Sequence, residues 1–339
     1  MVRTIACITV IASHYFLYTD FNTSEFVGVS MFLQGMLSSI VIGSDLYMIL
    51  TGFLCCNKTI GKDFYLSGVK VLLSYVFFSI TTIAVNIYLF HTGMTWKSGL
   101  LGILSFSTIP YAWYIEMWIG LFLLAPFLNI WYKALPSRNV KRNLILLLFA
   151  LSAFPDFFNR YGWYVMPQYW EMVYPLAFYF TGCYIRENRP ALPKHITLTT
   201  ALLITLISSS VTLISGHPTF LHIIGDRNGI FLATLAISIF LTVYNIDIKS
   251  DILKQIFKMI SLRSLDIFLC SAILDYYLYP LFKSHYYINQ TQYGIFYFVI
   301  IPLIFIICYL IASAKRILFN LIDKIFKTSG ISLTLQSQG

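Results

Sequence analysis

The first residues that could do chemistry stand in the stretch VRTIACITVIASHYF, where Arg3 and His14 bracket an otherwise apolar run. A guanidinium holds phosphate or carboxylate, and an imidazole exchanges protons near neutral pH. Eleven helical residues make three turns and about 20°, so both side chains lie on one face, roughly 16 Å apart along the axis. Asp45, in SDLYMILTGFLCC, falls at nearly the depth of His14 if the first two apolar runs are antiparallel helices. A carboxylate that accepts one ring N–H fixes the tautomer and leaves the other nitrogen as a general base. The plainer alternative makes Arg3 a boundary anchor and His14 and Asp45 a structural hydrogen bond between helices.

Further carboxylates lie toward the other ends of their apolar runs. Glu116, Glu171 and Asp275 sit at similar depth to Trp113, Trp118, Trp163 and Trp170. Carboxylates accept from hydroxyls and aromatic faces cover sugar C–H edges, so this mouth suits a polyhydroxylated acceptor. Aromatic belts also form at every membrane interface, which is the competing explanation. Asp266 follows Arg263 by one turn and is expected to pair with it within the helix.

The elements that must position these groups are membrane helices. Hydrophobic residues make up 58% of the 339, charged residues only 11%, and mean hydropathy is +0.76. Soluble domains carry about 25% charge, so the chain reads as an all-α polytopic integral membrane protein. Apolar runs fall near 2–18, 36–56, 69–90, 113–132, 143–155, 169–185, 196–215, 228–245, 260–280 and 292–313, predicting about ten transmembrane helices. With both termini cytoplasmic, every Lys and Arg except Lys97, Arg160, Arg227 and Lys283 falls on the inner side, as the positive-inside rule asks. Gly99 to Ile109 is too short to span and reads as an interfacial or re-entrant segment. Residues 314–327 have the pattern of an amphipathic helix on the inner surface, and 328–339 that of a disordered tail.

A net charge of +9 on a soluble protein would point to nucleic acid. Here the basic residues sit in short loops beside membrane spans and report orientation, so no nucleic-acid partner is expected. The six cysteines lack the paired spacing of a zinc or redox site and are assigned to packing, with no metal. No phosphate-binding loop, dinucleotide fingerprint or nucleophile elbow occurs. On translocon scales an ionised residue at mid-helix costs about 2.5–3.5 kcal/mol, so the charges that remain within these helices mark a functional site.

The Arg3-x10-His14 spacing, SDLYMILTGFL at 44–54, AWYIEMWIGLFLLAPFLN at 112–129 and YFTGCYIRE at 179–187 occur in order over most of the helical region. Together they resemble the membrane acyltransferase-3 family, bacterial O-acyltransferases of surface polysaccharides. The resemblance implies transfer of an acetyl group from cytoplasmic acetyl-CoA to a sugar hydroxyl, in the bacterial inner membrane. By matched position it makes His14 the catalytic histidine and Arg3 its paired basic residue; joined to the depth argument, this leads us to expect Asp45 to orient His14, and Arg3, Lys70 and Lys62 to contact the acetyl-CoA phosphates. Glu116, Trp113, Asp275 and Glu171 would face the carbohydrate or lipid-linked acceptor. Two positions depart from the family pattern. Ser67 and Lys70 stand where the family has Arg-x-x-Arg, and Ser271 stands where its SxxxYLxH pattern ends in histidine. The rival class is a polysaccharide or lipid-linked-sugar flippase, since intramembrane charges also mark transport paths.

Overall fold

The computed structural model describes residues 1–19, 36–37, 40–159, 164–215, 229–286 and 293–328. Among them there is no strand, and helices follow one another in the order α1 Val2–Tyr18, α2 Gly43–Cys55, α3 Lys62–Ala84, α4 Trp96–Leu104, α5 Trp113–Ala134, α6 Arg138–Asn159, α7 Tyr174–Asn188, α8 Lys194–Ser215, α9 Ile230–Val243, α10 Asp251–Tyr286 and α11 Tyr293–Thr328. Every apolar run predicted from the sequence is occupied by a helix, and α4 takes most of the short Gly99–Ile109 stretch. A capping box starts α4, with the Thr95 hydroxyl accepting from the Ser98 amide and the Ser98 hydroxyl accepting from the Thr95 amide.

Among the described residues four helical segments, Lys62–Leu89, Trp113–Ala134, Lys194–Val211 and Phe296–Leu321, are long and apolar enough to cross a membrane. Val2–Tyr18, Gly43–Cys55 and Ile230–Val243 are shorter apolar helices. Exposed leucines and isoleucines line the outer faces of these helices, as expected where lipid is the solvent. The protein is a multi-pass, all-helical membrane protein. Residues 314–327 continue α11 without a break. Trp163, Arg160, Arg227 and the tail beyond Thr328 lie outside the described residues.

Two buried clusters organise the packing. One joins α2 with α5 to α9, and the other joins α1 with α3, α10 and α11. They meet along α1 and α2, where a Cβ on Gly43 would strike Val10 and the Ala6 carbonyl. Across α2 and α7 the backbones approach even more closely. A Cβ on Gly52 would overlap the Tyr179 carbonyl, and one on Gly182 would overlap the Ile49 carbonyl. Small residues permit this approach in lipid, where dispersion rather than water exclusion drives association. The far end of α2 is held by Asn129, whose amide donates to the carbonyls of Cys55 (2.7 Å) and Lys58 (2.8 Å) while the Tyr179 hydroxyl donates to its Oδ1. A Gly182→Val variant has no flexible side chain to push aside, so it is expected to lose about 3 kcal/mol, the top of the usual overpacking range. A lower unfolding midpoint in detergent checks this.

One predicted ion pair is corrected. Asp266 pairs with Lys315 of α11 at 2.5 Å, not with Arg263. The Lys315 ammonium also donates to Ser74 Oγ and lies against Phe77, Phe78 and Phe319. Arg263 turns back to the Met259 carbonyl and covers the Tyr309 ring. Lys315 is buried, so its ammonium takes the carboxylate, while the half-buried Arg263 is met by a backbone carbonyl and an aromatic face.

Candidate active site

His14 is buried on α1, and its Nδ1 lies 2.7 Å from Asp275 Oδ2. The carboxylate on the imidazole is therefore Asp275 of α10, not Asp45 of α2 as the depth argument expected. The reason is azimuth. α1 and α10 run parallel in register, with Thr4 Oγ1 donating to the Phe257 carbonyl and Cys7 Sγ to that of Ser264, and this register brings Ser271 and Asp275 opposite His14. Asp45 sits fully buried in the first turn of α2 with the Ser44 hydroxyl donating to its Oδ1 at 3.2 Å.

Asp275 Oδ2 also accepts from the Tyr111 hydroxyl at 3.2 Å, and the Tyr111 ring stacks on the imidazole at 3.7 Å with 18° between planes. Ser271 Oγ lies 3.4 Å from Nδ1 while its hydroxyl donates to the Phe268 carbonyl. A carboxylate has only acceptor atoms, so Nδ1 carries the proton and Nε2 holds the lone pair. Among the described residues Nε2 makes no hydrogen bond. The ring is thus fixed in plane and in tautomer by one acid, one phenol and one stacking face. Asp275 Oδ1 is buried with no hydrogen-bond partner among the described residues, so its charge leans on the imidazole.

Arg3 and His14 line one cavity of about 360 Å³, which follows the shared face of α1. Its other walls are Ser44, Tyr47 and Thr51 of α2, Trp113, Tyr114 and Trp118 of α5, and Ser261, Ser264, Leu265 and Phe268 of α10. Among the described residues Arg3 makes no ion pair, which leaves its guanidinium for an anion at that end of the cavity.

Of the remaining expected site residues, only Trp113 reaches the cavity wall. Glu116 is exposed, because it falls on α5 about 170° from the mean direction of Trp113, Tyr114, Ile115 and Trp118. Glu171 lies in a short 3₁₀ turn and accepts from the Gln168 amide at 2.7 Å. Lys62 and Lys70 are exposed on α3, whose cavity residue is Val71. Nine residues from Val71, Lys62 is about half a rotation away. Asp275, expected at the acceptor mouth, is instead sealed behind the imidazole. Tyr111 went unpredicted; it lies just before α5, where no helical period points to it.

An acyltransferase domain model matches residues 1–313 of this chain. The chain belongs to the acyltransferase-3 family. No curated protein and no solved structure matches it. Membership makes the protein a membrane acyltransferase, and Arg3 and His14 line one cavity among its helices.

Proposed function

We propose that this acyltransferase moves an acetyl group from cytoplasmic acetyl-CoA to a hydroxyl of a cell-surface polysaccharide or its lipid-linked precursor, in a bacterial inner membrane. The reading rests on one observation above the others: Arg3 and His14 stand at separate depths of a single cavity, with the imidazole held by Asp275. In this reading the chain crosses ten times, both termini are cytoplasmic, and the Arg3 end of the cavity faces the cytosol. The donor's phosphates meet Arg3, its pantetheine arm runs along α1, and the thioester arrives at His14. About 16 Å of helix between the two residues suits such an arm.

At His14, Nε2 takes the proton of the acceptor hydroxyl as the oxygen attacks the thioester carbonyl. Imidazolium forms next to the Asp275 carboxylate, which turns a costly buried charge into a neutral pair. Collapse of the tetrahedral intermediate expels the coenzyme A sulfur, and the imidazolium returns the proton to it. Transfer through an acyl group carried on Nε2 would use the same nitrogen and the same acid. Trp113, on the wall of the same cavity, supplies an aromatic face for the acceptor sugar.

The experiment is deletion of the coding sequence in the host, followed by NMR of purified surface polysaccharide. Loss of an O-acetyl signal, restored by the wild-type chain and not by a His14→Gln chain, is the expected result. Loss of polymer export with acetylation intact would favour a flippase and overturn the proposal.

A further inference from the structure

The cavity ends near Arg3, but a coenzyme A donor carries a diphosphate and a 3′-phosphate, more negative charge than one guanidinium balances. The lysines at the start of α3 do not provide the rest, since Lys62 and Lys70 stand off the cavity. The face of α10 that lines the cavity supplies a different continuation. Ser261, Leu262, Ser264, Leu265 and Phe268 form that face. At 100° per residue, Lys254 falls within about 10° of their mean direction and Lys258 within about 50°. The helix is unbroken from Asp251, so the same face runs on past the cavity.

Depth agrees with direction. The Thr4 hydroxyl donates to the Phe257 carbonyl at 3.3 Å, which sets the first turn of α1 level with this part of α10. Lys258 is therefore level with Arg3, and Lys254 lies about 6 Å further from His14. Lys258 is exposed and makes no ion pair among the described residues. Lys254 pairs only with exposed Asp251, at 3.3 Å and three residues away. Such a pair contributes little and gives way to a phosphate dianion.

We infer that Lys258 and Lys254 extend the donor site beyond Arg3, Lys258 meeting the diphosphate and Lys254 the 3′-phosphate of the coenzyme A nucleotide. This rests on the acyl-CoA reading of the cavity. It places the nucleotide against α10 and not against α3, so α10 carries both the phosphate contacts and the acid behind the catalytic imidazole.

Titration calorimetry of the full chain in lipid nanodiscs, with coenzyme A and 3′-dephospho-coenzyme A as probes, tests it. A Lys254→Ala/Lys258→Ala variant is expected to weaken coenzyme A binding about tenfold, the scale of lost charge-assisted hydrogen bonds. The wild-type preference for coenzyme A over its dephospho form should collapse in Lys254→Ala alone. Lys258→Arg should keep wild-type affinity, and Lys62→Ala/Lys70→Ala should bind as wild type does. Wild type that binds coenzyme A while the α10 double variant binds it equally well overturns this inference alone. Wild type that binds neither probe overturns the donor reading, and this inference with it.

Discussion

A His14→Gln variant is expected to accumulate in the membrane at wild-type levels, to bind coenzyme A, and to transfer acyl groups at least about 10³-fold more slowly. General acid–base catalysis by a positioned side chain contributes 10²–10⁴. Glutamine is chosen because its amide donates to Asp275 Oδ2 in place of the ring N–H, so the buried acid keeps a partner. Alanine would leave that carboxylate with Tyr111 alone, and an uncompensated buried charge costs about 3–5 kcal/mol. Inactivity of an alanine variant would then mix lost chemistry with lost folding. Measuring transfer from radiolabelled acetyl-CoA in inverted vesicles, beside coenzyme A binding, separates the two. Activity within tenfold of wild type in His14→Gln would remove His14 from the reaction. Arg3→Ala, by contrast, should raise the donor KM and leave kcat nearly intact if, as proposed, its guanidinium meets the donor far from the reacting carbon.

That those two residues share a face was legible in the sequence because both lie on one helix. A spacing of eleven fixes relative direction and depth without any knowledge of neighbours, and the cavity does contain both side chains. The helices themselves were legible for a similar reason, since hydropathy reports burial in lipid whatever the packing. What the sequence withheld was rotation between helices. Asp45 and Asp275 could each be placed at a depth but not at an angle around α1, and the angle decides which acid touches Nδ1. The depth of Asp275 was itself misjudged from the apolar run 260–280, whereas α10 spans Asp251–Tyr286 and is set in register by α1.

One signal for Asp275 was present and unused. Ser271 was already marked as the position where the family has a histidine, and Asp275 is one helical turn further on the same face. Both face His14 here, the hydroxyl at 3.4 Å and the carboxylate at 2.7 Å. Glu116 erred in the opposite way. Its depth matched the tryptophans, and helical phase puts it about 60° from Trp113 but about 160° from Trp118, so only the observed cavity wall, which includes Tyr114, Ile115 and Trp118, excludes it.

Asp275→Asn tests the assignment that the sequence missed, and its expected effect is nearly as large. Asparagine keeps the volume and can still accept from Nδ1, so packing against Tyr111 and Ser271 should survive. It carries no charge, however, and its amide can turn to donate to the ring, which would hold the proton on Nε2 and remove the lone pair that takes the acceptor proton. The expected result is a fall in kcat of about 10²–10⁴ with the donor KM changed less than threefold. Asp275→Glu should recover part of the rate, because the charge returns even though the reach is wrong by one methylene. Tyr111→Phe, which removes only the hydroxyl bond to the same oxygen and keeps the stacked ring, should cost far less, about tenfold. If Asp275→Asn lowered kcat no more than Tyr111→Phe does, the carboxylate would be a packing element of α10. An intact rate in Asp275→Asn paired with a large loss in Asp45→Asn would return the orienting role to α2.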